Sequence, residues 1–235
     1  MDANKLSQRL LHVAQYVPGG ARLADIGSDH AYLPVYLAKK GLISYAVAGE
    51  VAAGPHKNAS RVIAHADMDD IVHSRLADGL EAYSTEDAID TITICGMGGP
   101  LIVSILKAGA DKLKNAPLLI LQPNVGACAV RKWIQDHSYL ISQEEILKED
   151  KHIYEIIVAQ PDVNTHKLSV DELAFGPFLM HRKEPAFVEK WTQELQRSQK
   201  VLRALKHAKR DTSTKFQEVS DKIAQIKGVL VNDDS

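Results

Sequence analysis

The chain has 235 residues, 45% of them hydrophobic, and a formal net charge of -2. That supplies a core for one ordinary domain plus an appendage, and nothing approaches the roughly 18 to 20 uninterrupted apolar residues of a membrane span. Lys5 and Arg9 near the start are followed by no apolar block with a small-residue cleavage site, so a cytoplasmic protein is expected. Cys95 and Cys128 have no motif spacing and are expected to stay reduced.

Taken in order, helix and strand patterns alternate. Leu6, Leu10, Val13 and Val17 recur at helical spacing until Pro18-Gly19-Gly20 stops them. A strand is predicted over Arg22 to Ile26, a helix over Tyr32 to Leu37, a second strand over Tyr45 to Ala48, and a helix over Gly54 to Ala66. Strands at Ile71 to His73, Ile89 to Cys95 and Leu118 to Gln122 continue the rhythm, with helices over Leu101 to Leu113 and Val125 to His137. Tyr139 to Leu147 and Ile153 to Ala159 flank a charged turn too short for a crossover helix, so they should pair antiparallel. The expected fold is α/β: a Rossmann-like, doubly wound, mostly parallel sheet closed by an antiparallel hairpin, over residues 1–160. By analogy of fold, that closing hairpin is more typical of methyltransferases using S-adenosylmethionine (SAM) than of dinucleotide-binding sheets.

Residues 161–235 read as a helical extension. Trp191, Leu195, Leu202, Leu205, Phe216, Val219, Ile223, Ile226 and Leu230 follow alternating steps of three and four, with Ser198, Lys209 and Thr212 as a polar gap. Either an antiparallel coiled-coil hairpin turning at Arg210 to Thr214, or one long helix pairing with a second chain, fits this seam, and oligomeric state stays open. Charge is unevenly placed. Up to Gln160 there are 15 Lys/Arg against 19 Asp/Glu, whereas Arg182 through Lys215 has 10 against 4. Arg197, Lys200, Arg203, Lys206 and Arg210 line one helical flank; such a stripe is a solvated face or a phosphate track.

The chemistry concentrates where strands end. In open α/β sheets ligands bind beyond the carboxyl ends of the strands, at the first strand-to-helix turn. Here that turn is Asp25-Ile26-Gly27-Ser28-Asp29-His30; a dinucleotide site would repeat glycines, but a carboxylate stands in place of the second. Two charges about 4 Å apart interact by roughly 4 kcal/mol at an effective dielectric of 20, so Asp25 and Asp29 would repel a pyrophosphate and favour the ammonium and sulfonium of SAM. Asp29 would equally serve as a helix cap. Glu50, about 20 residues past the glycine turn, suits the ribose hydroxyls of an adenosine-bearing ligand, SAM or NAD alike. Asp78-Gly79 is placed to meet the adenine, or is a plain turn. Gly96, Met97 and Gly98 follow the fourth strand and allow a close backbone approach near the reacting methyl, or a tight turn. Gln122-Pro123-Asn124 ends the fifth strand with two amides that could read a base edge. No His, Cys or Asp cluster has metal-ligand spacing, so no metal is expected.

These segments together (Asp25 to Pro34, Gly49-Glu50-Val51, Asp78-Gly79-Leu80, Cys95 to Gly99 and Leu121 to Asn124) resemble the bacterial tRNA (adenine-22-N1)-methyltransferases, the TrmK family. Ala77 departs from the glycine expected there, and its methyl group would shift the adenine pocket slightly. The resemblance implies methyl transfer from SAM to N1 of an adenine in tRNA by a Rossmann-like domain with a C-terminal helical coiled-coil extension. It implies SAM contacts from Asp25, Gly27, Asp29, His30, Glu50, Asp78, Gly79, Gly96, Met97 and Gly98. Asp29, His30 and Asn124 are the catalytic candidates. Tyr32, Gln122, Pro123 and Asn124 are candidates for the base, and the basic stripe from Arg197 to Arg210 for the tRNA backbone. An NAD(P)-linked oxidoreductase and a non-catalytic RNA-binding protein with a vestigial pocket are the alternatives.

Overall fold

The computed structural model describes residues 5–162, 164, 167–206 and 213–231. The chain divides into two compact units, Met1–Lys167 and Leu168–Ser235. The first is built from α1 (Gln8–Gln15), β1 (Ala21–Ile26), α2 (Tyr32–Lys39), β2 (Ile43–Glu50), α3 (Ala53–His65), β3 (Val72–Leu76), β4 (Thr91–Gly98), α4 (Gly99–Ala108), β5 (Leu118–Val125), α5 (Ala127–Asp136), β6 (Tyr139–Glu149) and β7 (His152–Pro161). Its seven strands lie in the order β3-β2-β1-β4-β5-β7-β6. The first five are parallel and β7 runs antiparallel to both β5 and β6, giving the expected Rossmann-like α/β sheet. Helices cover both faces, so the central strands are apolar in succession: Leu23, Ala24, Ile92, Ile94 and Leu119 to Leu121 are all fully buried. The connections leave β1 and β4 in opposite directions, which opens a crevice at their carboxyl ends.

Of the boundaries that differ from the pattern prediction, those of β4 and α4 bear on the site. β4 runs on through Gly96 and Met97 to Gly98, with register shifts against β5 on either side of Met97. α4 therefore starts at Gly99, where an added Cβ would lie 2.2 Å from the Gly126 carbonyl oxygen. The close approach that the glycine cluster permits is thus partly internal: the start of α4 packs on the β5–α5 turn. α4 also stops at Ala108 instead of Leu113. At Gly109 an added Cβ would meet Leu80 at 2.5 Å, and residues Ala110–Asn115 continue as a 3-10 helix.

α5 and the hairpin are joined by a buried ion triad. Arg131, fully buried, donates from Nε to Glu144 on β6 at 2.7 Å and from Nη2 to Glu155 on β7 at 2.8 Å. Burying charges is tolerated because each is paired, and removing one partner strands the others without water.

The second unit contains α6 (Val170–Phe175), α7 (Leu179–Arg182), α8 (Pro185–Lys206) and α9 (Ser213–Leu230). α8 and α9 pack antiparallel: Lys183 lies against Val231, Glu194 against Lys222, and Lys206 over the Phe216 ring. Ser198, Val219, Ile223 and Ile226 of the predicted seam are buried, but at its end Val229 is buried in preference to Leu230. Arg210 and the rest of the predicted turn up to Thr212 lie outside the described residues.

Arg131→Met, which takes the guanidinium away from two buried carboxylates, is expected to lower the unfolding free energy by about 3–5 kcal/mol in urea titrations. A loss under about 1 kcal/mol would show that the triad does not hold the hairpin to α5.

Candidate active site

A cavity of about 410 Å³ opens at the carboxyl ends of β1, β2 and β4. Asp25, Gly27, Asp29, His30, Tyr32, Glu50, Asp78, Gly79, Gly96 and Met97 all line it. Its floor is the turn after β1. Gly27, Asp29 and Ala31 all have left-handed backbones, with φ of 71°, 52° and 55°. The last two cost side-chain-bearing residues of order 1 kcal/mol each, strain of the kind folds keep where a ligand is gripped. An added Cβ at Gly27 would also lie 2.0 Å from the Met97 methyl, so a side chain there would displace the flexible end of Met97 as well as strain the turn.

Asp25, 5% exposed, accepts hydrogen bonds from Thr93 Oγ1 at 2.6 Å and Ser28 Oγ at 2.5 Å. Burial pushes its carboxyl above the ordinary range, against the pull of those two hydroxyls and of the Arg9 charge. Glu50 is also buried. Its Oε1 accepts from the Val51 and Ala52 N–H groups at 3.0 and 3.2 Å, and its Oε2 accepts from Asp29 N–H at 3.3 Å. The carboxylate is thereby aimed by backbone on both sides. Asp29 itself is 68% exposed with an oxygen 3.7 Å from His30 Nε2, and the His30 ring stacks on Tyr32 at 5.0 Å. It does not cap α2, whose N-cap is Ala31 with no side-chain hydrogen bond. Asp78 is exposed at the rim, and Gly79, with φ of 51°, lies against Ile105.

Other candidates fall elsewhere. Gly98 is the N-cap of α4 and lies off the cavity wall, as do Gln122, Pro123 and Asn124 at the end of β5. Gln122 and Pro123 are buried, so neither side chain is presented to a base edge; Asn124 is exposed beside the cavity, donating to the Gly96 carbonyl at 2.7 Å. On α8, Arg197, Lys200, Arg203 and Lys206 are exposed, with Arg197 paired to Glu194 at 2.8 Å. Among the described residues no group of three or more His, Cys, Asp and Glu could hold a metal.

Arg9 is the site residue that pattern reading passed over. It projects from α1 into the cavity, where its guanidinium donates to Gln122 Oε1 and lies 5.4 Å from the centre of the Tyr154 ring. α1 is anchored from β6: Glu149 accepts from the Gln8 and Arg9 N–H groups at 2.6 and 3.4 Å, and Glu145 holds His12 and Tyr16 at 2.5 and 3.0 Å. A carboxylate at a helix N-terminus satisfies amides that otherwise lack partners. An arginine in a nominally polar helix is an ordinary surface residue by sequence; a basic residue facing a carboxylate pair is visible only once the fold is closed.

Because the Asp25 carboxyl titrates higher when folded than when unfolded, the protonated form is favoured by folding. Its contribution is therefore greatest below the ordinary carboxylate range and falls away as pH rises through the raised value. Asp25→Asn is expected to match or exceed the parent's stability at pH 8 and to lose that advantage toward pH 4, measured by denaturant unfolding across that range. A pH-independent difference would contradict the burial argument.

Comparison with known proteins agrees with this geometry. The chain matches the family described as "TrmK: tRNA (adenine(22)-N(1))-methyltransferase" over residues 23–228. It is 41% identical to the tRNA (adenine(22)-N(1))-methyltransferase of Bacillus subtilis, covering 98% of this chain and 99% of that protein. A Streptococcus pneumoniae protein solved in complex with S-adenosyl-L-methionine superposes with a TM-score of 0.89 at 41% identity, covering 97% of this chain and 100% of that one. M. capricolum TrmK, solved with S-adenosyl-homocysteine, gives 0.85 at 27% identity, with coverage of 96% and 97%. A crevice built around carboxylates and lacking a glycine-rich phosphate cradle, on a chain matched from end to end, has one reading: the protein belongs to the tRNA (adenine(22)-N(1))-methyltransferase family.

Proposed function

We propose that the chain transfers a methyl group from SAM to N1 of adenine 22 in tRNA, with the first unit binding the donor and carrying the chemistry. The observation that carries the reading is the composition of the cavity wall. Among its described residues stand four carboxylates, Asp25, Asp29, Glu50 and Asp78, and a single guanidinium, Arg9. That set complements a zwitterionic amino acid joined to a nucleoside and repels a pyrophosphate, which disfavours the NAD(P) alternative. When bound, SAM supplies an electrophilic methyl on a cationic sulfur.

The residues then divide the donor between them. Arg9 would hold the carboxylate of its amino-acid end, and Asp25 and Asp29 would favour its ammonium. Glu50, held rigid by three backbone amides, takes the ribose hydroxyls. Asp78 and Gly79 border the adenine, with Leu101 and Ile105 as apolar walls. Gly27, Gly96 and Met97 would line the part of the cavity that receives the sulfonium.

Adenine N1 carries an in-plane lone pair and has no proton to lose, so the enzyme's work is alignment and compensation of the positive charge that develops on the ring. Asp29 supplies the compensating negative charge at the mouth, with His30 and Asn124 as hydrogen-bonding partners of the base. N1 lies on the pairing edge, so the base must be turned out, and the stacked His30–Tyr32 pair offers it a flat surface. Cys95 lies in the same wall, but burial pushes its thiol far up, so it stays a thiol. We assign the second unit to the tRNA backbone: a coiled-coil pair of α8 and α9 presents Arg197, Lys200, Arg203 and Lys206 on one flank, a track for phosphates that adds affinity without sequence choice. A tRNA substrate supports a cytoplasmic location.

A primer-extension stop at adenine 22 of unmodified tRNA incubated with enzyme and SAM is the direct test, because N1-methyladenine blocks pairing; binding of NAD without SAM, or SAM binding without any stop, would overturn the reading. Arg9→Met is expected to weaken SAM about tenfold or more by titration calorimetry while changing 5′-methylthioadenosine, which lacks the carboxylate, by less than about threefold. Equal losses for both ligands would remove Arg9 from the carboxylate.

A further inference from the structure

Gln122 is fully buried on β5, yet its amide links three parts of the site. Its Oε1 accepts from the Arg9 guanidinium and from Gly96 N–H at 3.0 Å. Its Nε2 donates to Asn124 Oδ1 at 3.1 Å, and Asn124 Nδ2 donates onward to the Gly96 carbonyl at 2.7 Å. The orientation of both amides follows from this pattern. Two donors converge on one end of Gln122, so that end is the oxygen and the other must donate. Asn124 must then turn its oxygen toward Gln122 and its nitrogen toward Gly96. Without the Gln122 donor, only the Gly96 carbonyl at the exposed end would orient the Asn124 amide, and its oxygen would be left unheld.

We infer that Gln122 is a positioning residue: it locks the amide of Asn124 one way round and shares its own oxygen with the cation of the donor pocket, coupling the two sides of the reaction. This rests on the donor-site role of Arg9 and the base-side role of Asn124 given above. The consequence is selectivity. Adenine shows a bare N1 beside an amino donor, whereas guanine shows an N1–H beside a carbonyl. A fixed amide discriminates between these edges, but one that flips accommodates both.

Two variants separate the two ends of the side chain. Gln122→Glu keeps acceptors for Arg9 and Gly96 N–H but cannot donate to Asn124; Gln122→Met keeps the shape and loses both. S-adenosyl-homocysteine affinity, measured by calorimetry, should stay within about threefold of the parent in Gln122→Glu and fall about tenfold in Gln122→Met, while kcat on tRNA falls about tenfold in both. In an Asn124→Ala background neither change should lower kcat further, because Gln122 acts on the base only through Asn124. Losses that multiply in the double variants, or an undiminished kcat in both single Gln122 variants, would overturn the proposal. Where Gln122→Glu does not fold, the same cycle with Gln122→Met decides. Full kcat in Asn124→Ala alone would take Asn124 off the base, and the proposal with it, while leaving donor binding by Arg9 untouched.

Discussion

The site is organised by a carboxyl group kept away from water at the point where β1 leaves the sheet. Asp25 is held between the Thr93 and Ser28 hydroxyls, one from the neighbouring strand and one from the following turn. Its burial has an energetic cost in the empty protein, and a cation placed beside it favours the ionised form. A positively charged donor bound there, as proposed above, would offset that cost. The left-handed residues at positions 27, 29 and 31 serve the same end, because they bend the chain tightly enough to bring Asp25, Asp29 and Glu50 onto one cavity.

The antiparallel hairpin that closes the sheet has a second task. Glu145 and Glu149 on β6 hold α1, Tyr154 on β7 lies under the Arg9 guanidinium, and the Arg131 triad fixes the hairpin to α5. A helix of only eight residues would be marginal by itself in water, and here its polar contacts with β6 supply what its length does not. The cation of an otherwise acidic pocket is consequently delivered by the first helix and steered by the last two strands.

Recognition of a tRNA by such an enzyme separates into two kinds of contact. Phosphate contacts add affinity and fall with salt, whereas the choice of base depends on a few groups at the pocket mouth. In the function proposed above, Asp29, His30 and Tyr32 of the acidic cavity, with Asn124 beside it, take the second part and the basic flank of α8 takes the first.

The mostly parallel sheet, its antiparallel closure and the place of the ligand crevice were legible because they follow from the alternation of strand and helix patterns and from the short connection between β6 and β7, whereas the strand order came only from the structure. Asp25, Gly27, Asp29 and Glu50 were legible too, because one turn and one strand end carry them and their chemistry is visible in consecutive residues. Arg9 was not, since its partners lie on β5 and β7, more than 100 residues away along the chain, and meet it only through the β5-β7-β6 strand order. Gln122 and the glycines after Cys95 show the same limit from the other side. Their residue types fit ligand contact, but the sheet buries Gln122 among internal partners and sets Gly99 against the carbonyl of Gly126. Sequence alone determined which elements form and which charges cluster at their ends; only the closed tertiary structure decided which polar groups face the cavity and which are taken up holding it in shape, because hydrogen-bond partners are assigned by distance in space and not by spacing in the chain.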